Sequence, residues 1–325
     1  MNILVNGYNI DSVVFNVILN NVHIDLIDNK NRELNGFEIV PDFLFNEFCE
    51  ISNLDKNKFF KQENFYIIDK LELFEKIINN SQYNIVNNYD LNKYDILVEC
   101  ENEKTIFNIS SSSINEKNIF FDFLASYNGA IDLKNQLIYE KNIYGIIKTI
   151  IYNNKINLEL FYSSYLTTPK LIKSEIKNYL KKQFSIHIQD NDINWLHSLS
   201  KNTSTVFNNN IFKLNNDVLF TPFSRYSKLT YIIIIALNFK KILNEFKNVG
   251  DIRKLINLSN MNLHSNVDNY HLAYFKNKNY NSEFWNLYDQ VSFTEYLNCI
   301  KTKENFNFLT KNNPLYTSAD FKNII

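Results

Sequence analysis

Residues 3–28 read ILVNGYNIDSVVFNVILNNVHIDLID and contain the segment that decides the fold. The apolar stretch over residues 2–6 predicts a strand, and residues 9–21 carry apolar side chains at helical spacing. Residues 22–28 predict a second strand that ends in an acid. A strand, a helix and a second strand in this order are how a nucleotide-binding chain begins. The sequence therefore predicts an α/β protein with a candidate nucleotide site at its start.

The glycines of this first unit are incomplete. A dinucleotide site needs one glycine for the tight turn, a second for close approach to the pyrophosphate and a third for helix–strand packing. Gly7 occupies the middle position, whereas Val5 and Ile10 occupy the outer two. Asp28 stands where an acid binds the ribose hydroxyls, so Gly7 and Asp28 are the candidate cofactor-binding residues here. Because branched side chains stiffen the turn and separate helix from strand, an ordinary unit without a ligand stays an alternative.

Composition narrows the classes of partner and site. The chain has 325 residues, of which 45% are hydrophobic, so it can bury a substantial core. Its formal net charge of −1 removes the general case for nucleic acid or an anionic membrane as partner. Cys49, Cys100 and Cys299 are widely spaced, match no metal pattern and indicate reduced thiols, which predicts a cytoplasmic protein. The first apolar run is interrupted by polar residues and no later run is long enough to span a bilayer, so we expect neither a signal peptide nor a membrane span.

Asparagine is abundant where glycine and proline are rare. The chain contains 5 Gly and 4 Pro, and our hypothesis is mutational drift in an AT-rich genome that replaced Gly, Ala, Pro and Arg. Asn tolerates left-handed backbone better than other non-glycine residues, so it replaces glycine in turns at the least cost. We therefore expect the Asn-rich stretches to be turns and loops.

Periodicity predicts the elements that follow the first unit. The expected helices lie near 42–52, 56–62, 70–80, 170–183 and 227–247, and the expected strands near 64–69 and 209–214. Residues 83–165 have mainly the pattern of strands.

We interpret residues 1–325 as a single unit without a flexible linker. In this interpretation 1–80 and 200–250 form the nucleotide-binding part, 81–199 form an inserted sheet, and 251–325 form a helical C-terminal part.

Three further segments resemble flavin-dependent tryptophan halogenases. Residues 36–66, GFEIVPDFLFNEFCEISNLDKNKFFKQENFY, resemble the stretch from a Gly-Glu-x-Thr-x-Pro element to the strand that bears the catalytic lysine. Residues 209–226, NNIFKLNNDVLFTPFSRY, resemble the family's late strand and its Phe-x-Glu-Pro-Leu-Glu-Ser-Thr segment. Residues 267–285, VDNYHLAYFKNKNYNSEFW, resemble its Arg-Asp-Phe-x-x-x-His-Tyr … Asp-Ser-x-Phe-Trp segment. The matching positions are Gly36, Pro41, Leu54, Phe59, Asn64, Asn209, Pro222, Asp268, Tyr274, Ser282, Phe284 and Trp285.

The resemblance implies an FAD/NAD(P)-binding Rossmann-like body of the GR2 type, as in hydroxybenzoate-hydroxylase-type monooxygenases. It also implies an inserted substrate-binding β-sheet and a helical C-terminal part. FAD is the implied cofactor, with Gly7 and Asp28 at its adenosine end and the backbone at Thr221 and Pro222 at its isoalloxazine ring. No metal is implied.

The residues that carry halogenation in this family do not recur. The lysine that engages the oxidant falls at Ile68, or within 66–68 depending on the gap, and the assisting glutamate falls at Ser224. An aliphatic side chain cannot hydrogen-bond hypohalous acid, and a serine hydroxyl is no general base without a partner. Lys70 lies two residues beyond Ile68 and is the nearest cation. The family's Gly-Trp-x-Trp-x-Ile-Pro element has no counterpart in the chain.

The sequence therefore predicts a shortened, degenerate halogenase-like protein without halogenase activity, acting as a non-catalytic binding or assembly protein. The alternative is a shortened FAD-dependent oxidoreductase or monooxygenase that acts on a small aromatic substrate. FAD binding stays open between these two interpretations, and so does whether the protein is an enzyme. We expect a small aromatic ligand or a partner protein as the binding partner, and neither nucleic acid nor membrane.

Overall fold

The computed structural model of the protein describes residues 1–28, 34, 36–62, 65–100, 120–127, 133–142, 145–163, 169–189, 193–199, 207–214 and 228–259. These residues belong to two compact units. The first is drawn from 1–114 and 201–267, and the second from 115–200.

The strands of the described residues are β1 (Asn2–Asn6), β2 (His23–Ile27), β3 (Phe37–Pro41), β4 (Phe60–Gln62), β5 (Phe65–Asp69), β6 (Asn84–Ile85), β7 (Ile96–Glu99), β8 (Phe120–Tyr127), β9 (Gln136–Asn142), β10 (Gly145–Tyr152), β11 (Lys155–Ser163), β12 (Ile193–Leu199), β13 (Phe207–Asn208) and β14 (Ile211–Lys213). The helices are α1 (Ile10–Ile18), α2 (Asp42–Ser52), α3 (Lys70–Asn80), α4 (Pro169–Phe184) and α5 (Lys228–Glu245), with a further helical stretch over 249–259. One-turn 3₁₀ helices lie at Lys56–Lys58 and Leu91–Lys93.

A mostly parallel sheet organises the first unit. Its described strands follow the order β13-β14-β7-β1-β2-β6, and β1 pairs in parallel with both β2 and β7. Only β13 runs antiparallel to its neighbour within the described part of this sheet. The predicted strand–helix–strand start and the Rossmann-like α/β fold class are confirmed.

One face of this sheet is covered by α1 and α5. Phe15 of α1 packs against Phe212 of β14 and Phe239 of α5, with ring centroids 6.0 and 5.5 Å apart. All three rings are fully buried. Burying a phenylalanine side chain contributes about 2 kcal/mol, so this aromatic cluster fixes both helices on the sheet.

The opposite face is covered by the chain that precedes β7. Tyr94 packs against the buried side chains of Leu4, Ile27 and Leu97. Its hydroxyl donates a 2.6 Å hydrogen bond to Asp25, a buried acid in the middle of β2. Burial and the neighbouring Asp25 carboxylate raise the pKa of Tyr94 to about 12, so the phenol stays neutral and the loop stays attached near neutral pH.

A smaller antiparallel sheet, β3-β5-β4, carries the segment that the sequence analysis aligned with the catalytic-lysine region. The predicted helix over 56–62 is wrong beyond its first turn. Asp55 caps a single 3₁₀ turn by accepting from the backbone N–H of Asn57. The chain then extends as β4, because residues 60–62 pair with β5 and Phe59 packs edge-on against Phe45 at 5.0 Å.

The second unit is built on an antiparallel sheet with the order β12-β8-β11-β10-β9 among its described strands. The helix predicted near 170–183 is confirmed, and so is the strand-rich pattern of 83–165 where the structure describes it. Residues 101–119 of that range lie outside the described residues. Residues of β10, β11 and α4 share one core, whose buried members are Ile147, Ile151, Ile156, Leu158, Ile172, Ile176, Tyr179 and Leu180. Within it the hydroxyls of Thr149 and Tyr179 are 2.8 Å apart, which satisfies both polar groups in an apolar setting.

Asparagine takes glycine's place in several turns. The non-glycine residues with positive φ among those described are Asn53, Asn153, Asn154, Asn209 and Ser185. Asn153 and Asn154 form the two-residue connection of the β10–β11 hairpin, because Tyr152 pairs with Lys155. Both have positive φ, as the type I′ turn of a tight hairpin requires. Asn is thus found where the sequence hypothesis expected it, at positions that favour glycine.

Substitutions at Asn154 test this assignment. Asn154→Ala should lower the free energy of unfolding by about 1 kcal/mol, because alanine pays the full left-handed backbone penalty. Asn154→Gly should leave it unchanged or raise it. Urea unfolding measures both, with Asn178→Ala on the exposed face of α4 as the matched Asn-to-Ala control. An alanine variant at position 154 as stable as the wild type would contradict the turn assignment.

Candidate functional site

The candidate site lies at the carboxyl edge of the parallel sheet. In open α/β sheets, ligands bind where the strand order reverses, outside the carboxyl ends of the strands. Here the chain leaves β1 for β2 on one side, while β7 flanks β1 on the other. The register places Asn6 of β1 level with Ile27 of β2 and Glu99 of β7, so these residues lie at the edge.

Two of the predicted cofactor residues lie at this edge. Gly7 follows β1 directly and has a φ of 108°, which L side chains rarely adopt, so the turn requires glycine. Its N–H donates to the carbonyl of Ile27 at 3.1 Å, which ties the turn to the end of β2. Asp28 follows β2 and is half-buried. Gly7 and Asp28 are therefore brought to one edge, and their role toward a cofactor stays a prediction.

The N-terminus of α1 is capped by the chain itself. Oδ1 of Asn9 accepts hydrogen bonds from the backbone N–H groups of Asp11 and Ser12, both at 3.1 Å. Oγ of Ser12 accepts in return from the backbone N–H of Asn9 at 3.0 Å, which completes a capping box. These are the donors that a helix N-terminus offers to a pyrophosphate in a dinucleotide site. Here a side chain of the same helix start already occupies them.

The same asparagine also fastens the loop to β7. Nδ2 of Asn9 donates to the carbonyl of Cys100 at 3.2 Å, and the backbone N–H of Cys100 donates to the carbonyl of Asn6 at 3.0 Å. These bonds run between the ends of β1 and β7, across the switch point of the sheet. Hydrogen bonds therefore join the end of β1 to β7 through Asn9 and Cys100, and to β2 through Gly7.

A carboxylate lies between the ends of the two central strands. Nδ2 of Asn6 donates to Oε1 of Glu99 at 2.5 Å, and both residues are fully buried. The carboxyl oxygen accepts the side-chain N–H of Asn6, so this donor is not offered to a pyrophosphate at the edge.

The bulky residues at the glycine positions are part of the core. Val5 is fully buried and Ile10 is 5% exposed. Residues buried to this degree line no water-accessible groove. The donor set, the buried acid and the branched side chains together do not fit a dinucleotide pyrophosphate at this edge.

The lysine position of the resemblance is apolar and inaccessible. Ile68 lies in the middle strand of the small sheet, opposite Glu38, and is fully buried. Lys70 begins α3, and its Nζ lies 4.0 Å from Oε1 of Glu38. Ile68 can therefore supply neither charge nor a hydrogen bond. Thr221, Pro222 and Ser224 lie outside the described residues.

Other chemistry is sparse in the described parts of the chain. No group of three or more His, Cys, Asp or Glu residues there is arranged to hold a metal ion. The thiol of Cys49 is buried and unbridged, and burial raises its pKa to about 12, so it is a poor nucleophile at neutral pH. None of the described helices is long and apolar enough to cross a lipid bilayer.

Solved structures identify the fold. The tryptophan halogenase from Shewanella frigidimarina matches 100% of this chain and 88% of its own, with a TM-score of 0.74 and 10% sequence identity. The fold is that of the flavin-dependent tryptophan halogenases. The thermophilic tryptophan halogenase from Streptomycin violaceusniger matches 91% of this chain and 85% of its own, with a TM-score of 0.68 and 9% identity.

A related fold also occurs outside the halogenases. The peptidyl tryptophan dihydroxylase QhpG, essential for tryptophylquinone cofactor biogenesis, matches 88% of this chain and 78% of its own, with a TM-score of 0.66 and 8% identity. No protein-family model matches the sequence, and neither does any curated protein. At these identities the similarity of this chain to its structural neighbours shows the fold alone.

The sequence analysis did not predict the hydrogen bonds that Asn6 and Asn9 make at this edge. The spacing of Asn9 and Ser12 is that of a capping box, so this part carried a local signal in the sequence. The partner of Asn6 is 93 residues away in the chain, and no local pattern predicts that contact.

Substitutions at Asn9 test the capped helix start. Asn9→Ala should lower the free energy of unfolding by about 1 kcal/mol, because the N–H groups of Asp11 and Ser12 lose their acceptor. Asn9→Ser keeps an N-cap oxygen and should retain most of the stability. Urea unfolding of the two variants measures the difference, and equal losses in both would contradict the cap.

Proposed function

We propose that this chain keeps the halogenase fold without halogenating, and serves as a non-catalytic binding or assembly protein for a small aromatic ligand or a partner protein. The observation that carries the proposal is the self-capped start of α1. In a flavin site the N–H groups at this helix start face a pyrophosphate, whereas here Asn9 accepts from those of Asp11 and Ser12. A protein whose phosphate donors are taken by its own side chain has little to offer the cofactor on which halogenation depends.

The position of the oxidant-handling lysine supports the same function. Hypohalous acid must be held by a cation or a hydrogen-bond donor close to the substrate, and the resemblance places Ile68 there. Its side chain is aliphatic and fully buried. Loss of the oxidant's binding group and loss of the cofactor's phosphate donors affect different steps, so each alone removes the halogenase reaction.

The alternative is an FAD-dependent oxidoreductase acting on a small aromatic substrate. It is supported by the extent of the structural match, since one tryptophan halogenase covers the full length of this chain with a TM-score of 0.74. It is also favoured by Gly7 and Asp28, which lie at the sheet edge where a dinucleotide binds. In this function FAD would supply the redox chemistry, and the chain would bind the adenosine end through these two residues.

Flavin titration separates the two functions. We expect the purified protein to carry no flavin absorbance, and to show no saturable binding of flavin adenine dinucleotide up to about 1 mM in equilibrium dialysis. That limit corresponds to a binding free energy weaker than about −4 kcal/mol. Flavin mononucleotide serves as the control for binding of the ring alone.

Each result of the titration has a distinct consequence. Saturable binding of the dinucleotide but not of the mononucleotide would contradict the non-catalytic function and support the oxidoreductase. Saturable binding of both with similar affinity would mean that the ring is held without the pyrophosphate, and would also contradict it.

A further inference from the structure

Helix α4 of the second unit carries a line of lysines along one side. Its sequence, PKLIKSEIKNYLKKQF, has five lysines and a single glutamate, a formal charge of +4 in a chain whose total is −1. Four of the lysines recur at spacings of three and four residues, which places them on one face of the helix: Lys170, Lys173, Lys177 and Lys181. We call this the lysine face.

The charges of the lysine face are not balanced within α4. Like charges four residues apart on a helix repel each other. The one acid of the helix, Glu175, is two residues from both Lys173 and Lys177, and side chains at that spacing do not face each other. Lys170 and Lys181 are exposed, and neither forms an ion pair with another residue that the structure describes. Negative charge supplied by a partner would relieve the repulsion.

Helix α2 of the first unit presents the complementary surface. Its sequence, DFLFNEFCEIS, has three acids and no basic residue. Phe43, Glu47 and Glu50 follow one another at four and three residues and are exposed, so they share the solvent side of the helix, which we call the acidic face. Within the described parts of the chain, neither Glu47 nor Glu50 forms an ion pair.

The two faces agree in length as well as in charge. From Lys170 to Lys181 the lysine face extends about 16 Å along its helix, at a rise of about 1.5 Å per residue. With its 11 residues, α2 has about the same length. Each helix also exposes one large apolar side chain, Phe43 at 42% on α2 and Leu171 at 49% on α4, which would be removed from water on association.

We propose that the lysine face of one copy binds the acidic face of a second copy of this chain. A second copy is the partner that fits, because each molecule carries both halves of the contact and both are exposed in the single chain. Since the two faces lie on different helices, the contact either forms twice in a two-fold pair or repeats from copy to copy. The proposal goes beyond the proposed function, because neither helix contributes a hydrogen bond to the sheet edge described above.

Sedimentation equilibrium of the full-length protein tests the association. A contact between two helix faces is small and depends on electrostatic attraction, so we expect a dissociation constant in the micromolar range. At an ionic strength of about 0.05 M the average mass should therefore rise above that of one copy between about 1 and about 100 µM protein. Sodium chloride at about 0.5 M should weaken the association by about tenfold or more, because it screens exposed charges.

Two charge-reversal variants test the two faces separately. Lys170→Glu/Lys181→Glu reverses the ends of the lysine face, and Glu47→Lys/Glu50→Lys reverses the acidic face. Each variant should weaken the association by about tenfold or more, because it places like charges opposite each other. Far-UV circular dichroism checks that both variants fold.

Matched controls reverse exposed charges elsewhere and change the net charge by the same amount. Lys93→Glu/Lys241→Glu is the control for the lysine face, and Glu75→Lys/Glu245→Lys is the control for the acidic face. Both controls should associate as the wild type does.

Carbodiimide cross-linking of the wild type identifies the surfaces in contact and needs no variant to fold. The reagent joins carboxylates to neighbouring lysines, and a mixture of isotope-labelled and unlabelled protein separates links between copies from links within one copy. We expect linked peptides that join residues 42–52 of one copy to residues 169–184 of another.

Four results would overturn the proposal. The first is a wild type that stays monomeric over the whole concentration range at low ionic strength. The second is an association that the two charge-reversal variants weaken no more than their controls, and the third is linkage of the two helices only within one copy. The fourth is a monomer whose lysine face binds vesicles of phosphatidylserine and phosphatidylcholine, since the partner would then be a lipid surface. None of these results decides whether the protein binds flavin adenine dinucleotide.

Discussion

The start of α1 is the point on which the account of this protein depends. The donors of a helix N-terminus must find acceptors, and here they find them in the side chain of Asn9. The Asn9 side chain also fixes the loop after β1, because its Nδ2 donates to the carbonyl of Cys100 beyond β7. Gly7 completes the arrangement by bonding to the end of β2. The three central strands are thus joined at the edge where a nucleotide-binding sheet receives its ligand.

Acidic groups of the chain also lie at this edge of the sheet. The N-terminus of α1 carries a positive partial charge from the helix dipole, and a negatively charged group nearby stabilises it. The carboxyl group of Asp11, paired with Lys228, lies at the helix start, and that of Glu99, hydrogen-bonded to Asn6, lies between the strand ends. Under the proposed function, groups of the chain itself satisfy the helix-start donors that a cofactor's phosphates would otherwise meet.

Much of the fold was predictable because it depends on local periodicity. The strand–helix–strand start and the helices near 42–52, 70–80, 170–183 and 227–247 follow from apolar spacing and were confirmed. The segment 56–62 was predicted wrongly because residues 60–62 pair in a hairpin with β5, the next strand along the chain. Strand pairing within this hairpin overrode a weak helical preference.

The candidate site was less predictable for a related reason. Gly7 and the branched residues at the neighbouring glycine positions were visible in the sequence as departures from a pattern. The polar contacts at this edge were not, since Asn6 meets Glu99 and Asp11 meets Lys228 over separations of 93 and more than 200 residues. The sequence alone shows that the glycine motif is incomplete, and the structure is needed to show which side-chain contacts are present at the same edge.

Amide hydrogen exchange over residues 3–18 tests the central claim most directly. If the N–H groups of Asp11 and Ser12 are held by Asn9, they exchange slowly in the free protein, and about 1 mM flavin adenine dinucleotide leaves their rates unchanged. Fast exchange of these two amides in the free protein, slowed when the dinucleotide is added, would contradict the account and identify an open phosphate site.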